Sequence, residues 1–196
     1  YFGQAAGSIR PLIYFGYRNQ EDMFDAHSYN KGGCTIHMLR NMVGDDAFWA
    51  ALNLYLTDHK FNSVEAHDLR LAFEEVTGQD LNWFFNQWFF SAGHPLLEVD
   101  TEYDASKKSV TVKLEQVQNY DRAPAIFELP IDIDIYESQQ KARRESVRMT
   151  KRYQEFSFPV SAEPSLVSVD PDHILLMQMQ DDKSDDELIF QYFNAR

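Results

Sequence analysis

Leu81-Asn82-Trp83-Phe84-Phe85-Asn86-Gln87-Trp88-Phe89-Phe90, followed by Ser91-Ala92-Gly93-His94-Pro95, divides the chain into two kinds of sequence. The aromatics of the first stretch fall almost all round a helix, and a helix apolar on every side is a buried one. Asp80 is placed to cap it. Gly93-His94-Pro95 closes the helical half of the chain.

Downstream the period shortens to two. Val110, Val112 and Leu114 alternate with Thr111 and Lys113, as in a half-buried strand. Phe127, Leu129, Ile131, Ile133 and Ile135 alternate with Glu128, Pro130, Asp132, Asp134 and Tyr136, and Val147 and Met149 repeat the pattern. Short strands are expected around Glu155–Val160, Leu166–Val169 and Ile174–Met179. Asp104-Ala105-Ser106, Ser138-Gln139, Glu163-Pro164 and Asp170-Pro171 supply the turns. About seven short strands at this spacing imply an antiparallel β-sandwich. Arg144, Arg148 and Arg152 share parity with Ser146 and Thr150, which makes them the solvated face of a hairpin. Asp181–Glu187 reads as an acidic hinge, and Leu188–Phe193 as the opening turns of another helix.

Upstream, glycines punctuate helices. Ile36, Leu39 and Val43 keep helical spacing within Tyr29–Val43, and Gly44 offers the left-handed stop. Asp45 or Asp46 is the expected cap of the next helix, whose Phe48, Trp49, Leu52, Tyr55 and Leu56 form one apolar stripe. Ser63 is expected to cap a third, in which Leu69, Ala72, Phe73 and Val76 line one face before Gly78.

The 196 residues suffice for one or two domains, and 44% hydrophobic content excludes a disordered chain. A formal charge of −13 and a pI near 4.8 argue against nucleic acid, whose phosphates reward a basic surface. No apolar run approaches the roughly 20 residues that span a bilayer, so a soluble chain without a membrane span is expected. The compartment stays open. A single cysteine, Cys34, excludes an internal disulfide framework. Tyr1-Phe2-Gly3-Gln4 and the started helix at the other end read as the cut edges of a longer protein.

No complete active site is visible. His27, His37, His59, His67, His94 and His173 form no H-E-x-x-H arrangement, and neither a glycine-rich phosphate loop nor a G-x-S-x-G elbow occurs. Cys34 and His37 share a helix face but lack a third group to orient a nucleophile pair, so they read as packing. Asp22, Asp25 and His27 read as a polar loop before a helix. Lys31 is expected to face solvent or a nearby acid. Gly32 and Gly33, costly at a helix start, suggest the close approach of another backbone.

The order of small signals is more specific than any one of them. Tyr29-Asn30-Lys31-Gly32-Gly33 leads into Ile36-His37-Met38-Leu39-Arg40 and Val43-Gly44-Asp45-Asp46-Ala47-Phe48-Trp49. Then come Leu69-Arg70, Glu74-Glu75-Val76-Thr77-Gly78-Gln79-Asp80-Leu81, Phe85-Asn86-Gln87-Trp88 and Gly93-His94-Pro95. This resembles the gluzincin zinc aminopeptidases of the M1 family downstream of their H-E-x-x-H motif, strongly over Tyr29–Pro95 and in architecture beyond. The resemblance implies an α+β fragment of several domains. Residues 1–95 would be the helical C-terminal part of a thermolysin-like catalytic domain, 96–180 the antiparallel β-sandwich, and 181–196 the start of a C-terminal helical domain.

The resemblance also implies that Tyr29, the tyrosine of Y-x-K-G, donates to the oxyanion formed when water attacks a scissile carbonyl. A phenol is a neutral donor at working pH, and one such donor is typically worth about 2.7–4 kcal/mol in the transition state. Without this context, packing at a helix start would be the ordinary reading of a tyrosine. Zinc would be bound by upstream residues absent from this chain, so the chain alone is expected to be inactive. Its partners would be peptide substrates and the rest of its own catalytic domain. The alternative is a non-catalytic scaffold or adaptor of the same architecture. Substrate preference, oligomeric state and any epoxide-hydrolase activity are left open.

Overall fold

A computed structural model describes residues 1–5, 9–119, 123–137 and 141–194. The chain forms two compact units, one built on Tyr1–Gly93 and one on His94–Asn119 with Ala125–Arg196. The fold is α+β, with helices in the first unit and two mostly antiparallel sheets in the second. Among the described residues no helix is long and apolar enough to cross a membrane.

After a one-turn α1 (Phe2–Ala5), the first unit is carried by α2 (Gly32–Val43), α3 (Asp45–Asp58), α4 (Ala66–Thr77) and α5 (Asn82–Trp88). Gly44 and Gly78 take positive φ at 83° and 67°, a backbone that residues with a Cβ adopt reluctantly, and both end helices; Gly78 is left-handed, whereas Gly44, with ψ at 159°, is not the left-handed stop expected of it. The caps differ from expectation. Gly44 itself precedes α3, leaving Asp45 and Asp46 in the first turn, where they face the positive end of the helix dipole. Glu65, not Ser63, caps α4, in a reciprocal box with Asp68. A glutamate can do this because its carboxylate, like a hydroxyl, accepts the N3 amide. Asp80 lies one residue outside the cap of α5 yet still accepts the Asn82 amide at 2.9 Å.

The core forms where the sequence is most aromatic. Phe84, Phe85, Trp88 and Phe89 are buried, with Phe85 stacked on Phe89 at 4.3 Å between centroids. Phe48 meets Phe73 at 5.6 Å, joining α3 to α4. The apolar stripe of α3 is narrower than its sequence, because Trp49 and Leu56 stay exposed. Gly32 and Gly33 admit no crossing backbone from elsewhere. A Cβ at Gly32 would meet a Leu12 methyl carbon at 3.5 Å, and one at Gly33 would meet nothing within 4 Å.

The second unit contains seven strands: β1 (Leu96–Asp104), β2 (Ser109–Gln116), β3 (Leu129–Tyr136), β4 (Arg143–Met149), β5 (Tyr153–Pro159), β6 (Leu166–Val169) and β7 (Gln178–Asp181). One sheet runs β5-β2-β1-β7 and the other β4-β3-β6. Val110, Val112 and Leu114 of β2 and Leu129, Ile131, Ile133 and Ile135 of β3 are buried, as their alternation requires. Pro130 is tolerated because β6 pairs with β3 only from Ile133 onward, so no ladder needs an N–H there.

Two features depart from the sequence reading. The β1–β7 pair is parallel, so the sandwich is not wholly antiparallel. Ile174 and Leu175 are not in a strand, because their amides go to the Asp170 carboxylate at 3.0 and 3.1 Å. Between β2 and β3, the buried Gln116 side chain bonds both backbone groups of Phe127, donating to its carbonyl at 2.7 Å and accepting from its amide at 2.8 Å. A final helix, α6 (Asp185–Asn194), is capped by Ser184 and Glu187 and sets Phe190 against Tyr136 at 5.5 Å.

Candidate functional site

The segment before α2 is shaped by one carboxylate. Asp25 Oδ1 accepts the backbone amides of His27 and Ser28 at 3.1 and 2.9 Å, which starts a turn that sequence periodicity does not announce. His27–Lys31 is a π-turn, closed by Lys31 N–H to the Ala26 carbonyl at 2.8 Å. Such turns are rare and often mark functional positions.

Arg10 clamps the carboxylate from the other side, with Nη2 at 2.7 Å from Oδ1 and Nε at 3.2 Å from Oδ2. It also donates to the Pro11 carbonyl and the Ser28 hydroxyl. Burial alone would raise the Asp25 carboxyl. The Ser28 amide and the Arg10 guanidinium outweigh it and hold the group down at about 2. Nδ1 of His27 lies 3.2 Å from the same carboxylate, while its buried Nε2 has no hydrogen-bond partner. Desolvation lowers the His27 imidazole, so the ring is held neutral.

Tyr29 is presented outward by this turn. It is 62% exposed, with its ring 5.8 Å from Phe24, and its amide donates to the Asp25 carbonyl at 3.0 Å. Residues two apart on a helical turn point roughly opposite ways. Exposing Tyr29 therefore turns Lys31 inward.

The expectation that Lys31 faces solvent or an acid is corrected on both counts. Its side chain is fully buried, and Nζ donates to the Ser91 carbonyl at 3.0 Å, just after α5. Desolvation, with the nearby Arg10 charge, lowers the ammonium from 10.5 to about 8. Keeping it charged at neutral pH costs the fold about 3 kcal/mol, at about 1.4 kcal/mol per tenfold change in proton affinity.

The other polar candidates are accounted for elsewhere. Asp22 pairs with the exposed Arg18. His37 is exposed and bonded to Asn41, with Cys34 half-buried on the same helix. His94 is buried in the second unit, 3.2 Å from Gln178. The hairpin arginines are less free than their parity suggests: Arg144 reaches Asp134 at 2.7 Å and Asp172 at 2.5 Å, and Arg148 pairs with Glu128.

Sequence reasoning singled out Tyr29 but missed Arg10 and the burial of Lys31. Arg10 lies 15 positions from Asp25 with no local signal joining them. For Lys31 the signal was present, since a tyrosine that must point outward sends the residue two positions on inward.

A zinc ion needs three protein ligands in a catalytic site. Among the described residues no three His, Cys, Asp or Glu side chains gather in that way, so the residues present do not fit one.

Comparison with known proteins places the polar turn inside a defined family segment. Residues 11–88 match the Peptidase family M1 domain. Aminopeptidase A of Gloydius brevicauda is 37% identical over 78 residues, which cover 40% of this chain and 8% of that protein. The tricorn protease-interacting factor F2 of Thermoplasma volcanium is 31% identical over 120 residues, or 61% of this chain and 15% of that one. The chain thus spans only a small part of the relatives it matches. The solved structure of Legionella pneumophila aminopeptidase A, in complex with aspartic acid, superposes with a TM-score of 0.80 over 94% of this chain and 21% of its own. At 20% identity that likeness speaks for the fold.

Proposed function

Because residues 11–88 match the Peptidase family M1 domain, we propose that the chain forms part of a zinc-dependent enzyme of that family that removes N-terminal residues from peptides. In this reading the zinc ligands and a general base lie outside the chain, and the chain alone is inactive. Its contribution is Tyr29, whose hydroxyl donates to the oxyanion formed when water attacks the scissile carbonyl. The hydroxyl bears no charge while idle, and a donor fixed in advance costs little reorganisation at the moment of reaction. The partners are peptide substrates and the remainder of the catalytic domain.

The observation that carries the reading is the presentation of Tyr29. An exposed phenol with no hydrogen-bond partner among the described residues stands on a turn held by Arg10, Asp25 and Lys31. A tyrosine needed only for packing would be expected to turn its ring inward.

The test is made on the full-length protein, by zinc content and by hydrolysis of a panel of aminoacyl anilides. Zinc at one equivalent and turnover of at least one anilide are expected. A protein that holds no zinc and cleaves none of the panel would be a scaffold of the same architecture instead.

A further inference from the structure

Lys31 is chemically out of place. Its methylenes suit the interior, but its ammonium is fully buried against a neutral carbonyl, and among the described residues no carboxylate pairs with it. The positive Arg10 adds to the cost of its charge. Apolar side chains of similar volume fill such positions without penalty, and replacing buried charges in that way is often neutral or stabilising. The position therefore gains little stability from a lysine. What the lysine does provide is one directional bond between two elements, the turn at His27–Lys31 and the carbonyl of Ser91 beyond α5.

We propose that Lys31 is a positioning residue for Tyr29: its bond to Ser91 fixes the π-turn so that the phenol is held toward the reacting carbonyl. The inference rests on the reading of Tyr29 as the oxyanion donor. Asp25 and Arg10 fasten the start of the turn through the amides of His27 and Ser28. Lys31 fastens its end. Tyr29 lies between the two fastenings and needs both, since a donor displaced by about 1 Å loses most of its effect on the transition state.

The experiment compares the full-length zinc-bound protein with Tyr29→Phe, Lys31→Met and the double variant. Lys31→Met is expected to melt within a few degrees of wild type and to keep its zinc. Its backbone amides at residues 27–31 should exchange hydrogen at least about tenfold faster, with α3 and α4 unchanged. Its kcat should fall at least about tenfold with little change in KM, and in the Tyr29→Phe background it should cost nothing further.

Wild-type exchange at 27–31, or a loss that adds fully to that of Tyr29→Phe, would overturn the proposal. So would failure of both Lys31→Met and Lys31→Gln to fold, because the ammonium would then serve stability alone. A fully active Tyr29→Phe would remove the reading on which this rests. A slow Tyr29→Phe beside a fast Lys31→Met would remove this inference only.

Discussion

Arg10 and Asp25 form a two-pronged ion pair across 15 positions of sequence, and the same carboxylate accepts two amides of the turn that carries Tyr29. The pair thus joins the segment at Arg10 to the turn that carries Tyr29 through a single side chain.

Asp25→Asn should be the costliest single change near the site. It leaves the nearly buried Arg10 without a counter-charge and weakens both amide bonds. Truncating one partner of a fully buried pair costs about 3–5 kcal/mol, and the 33% exposure of Asp25 brings the expected loss below that, to about 2–3 kcal/mol. Urea denaturation followed by tryptophan fluorescence measures it; a loss below about 1 kcal/mol would mean that water replaces the carboxylate.

The pH dependence should be one-sided. Asp25 is held at about 2, below its ordinary 3.8, so its contribution is present above 3.8 and lost as pH falls toward 2. His27 is held below 6.5 by burial, so the unfolded chain takes the proton first and stability also falls as pH drops below 6.5. Lys31, lowered to about 8, releases its proton earlier in the fold than in the unfolded chain. Its part of the stability therefore rises between about 8 and 10.5. Melting temperature against pH should lose its rise above pH 8 in Lys31→Met.

In the second unit, Gln116→Leu should destabilise despite being apolar and close in size. It removes both bonds that Gln116 makes to the buried backbone of Phe127, and a buried amide or carbonyl that loses its partner costs about 1–3 kcal/mol. A loss of about 3 kcal/mol or more in urea is expected, and a change under 1 kcal/mol would show that the Phe127 backbone finds other partners.

The large elements were legible because they rest on period alone. Phe84, Phe85, Trp88 and Phe89 announced a buried helix, and Val110, Val112 and Leu114 a strand with one face inside. Boundaries governed by single side chains were not. Asp170 draws off the amides of Ile174 and Leu175, so the strand that hydropathy places at Ile174–Met179 starts only at Gln178. At the site, Tyr29 was singled out by its neighbours in sequence, whereas Arg10 and the Ser91 carbonyl reach its turn from distant positions that no local pattern records. Lys31 was misread because a lysine is ordinarily a surface residue, and only the opposed facing of Tyr29 turns it inward.

The central claim is that Tyr29 supplies a hydrogen bond that exists only in the transition state. The most direct measurement is kcat for an aminoacyl anilide with the full-length zinc-bound protein, wild type against Tyr29→Phe, at equal zinc content. A fall of about a hundredfold or more with little change in KM is predicted. An equally active Tyr29→Phe would contradict the claim and reduce Tyr29 to a surface residue of the turn.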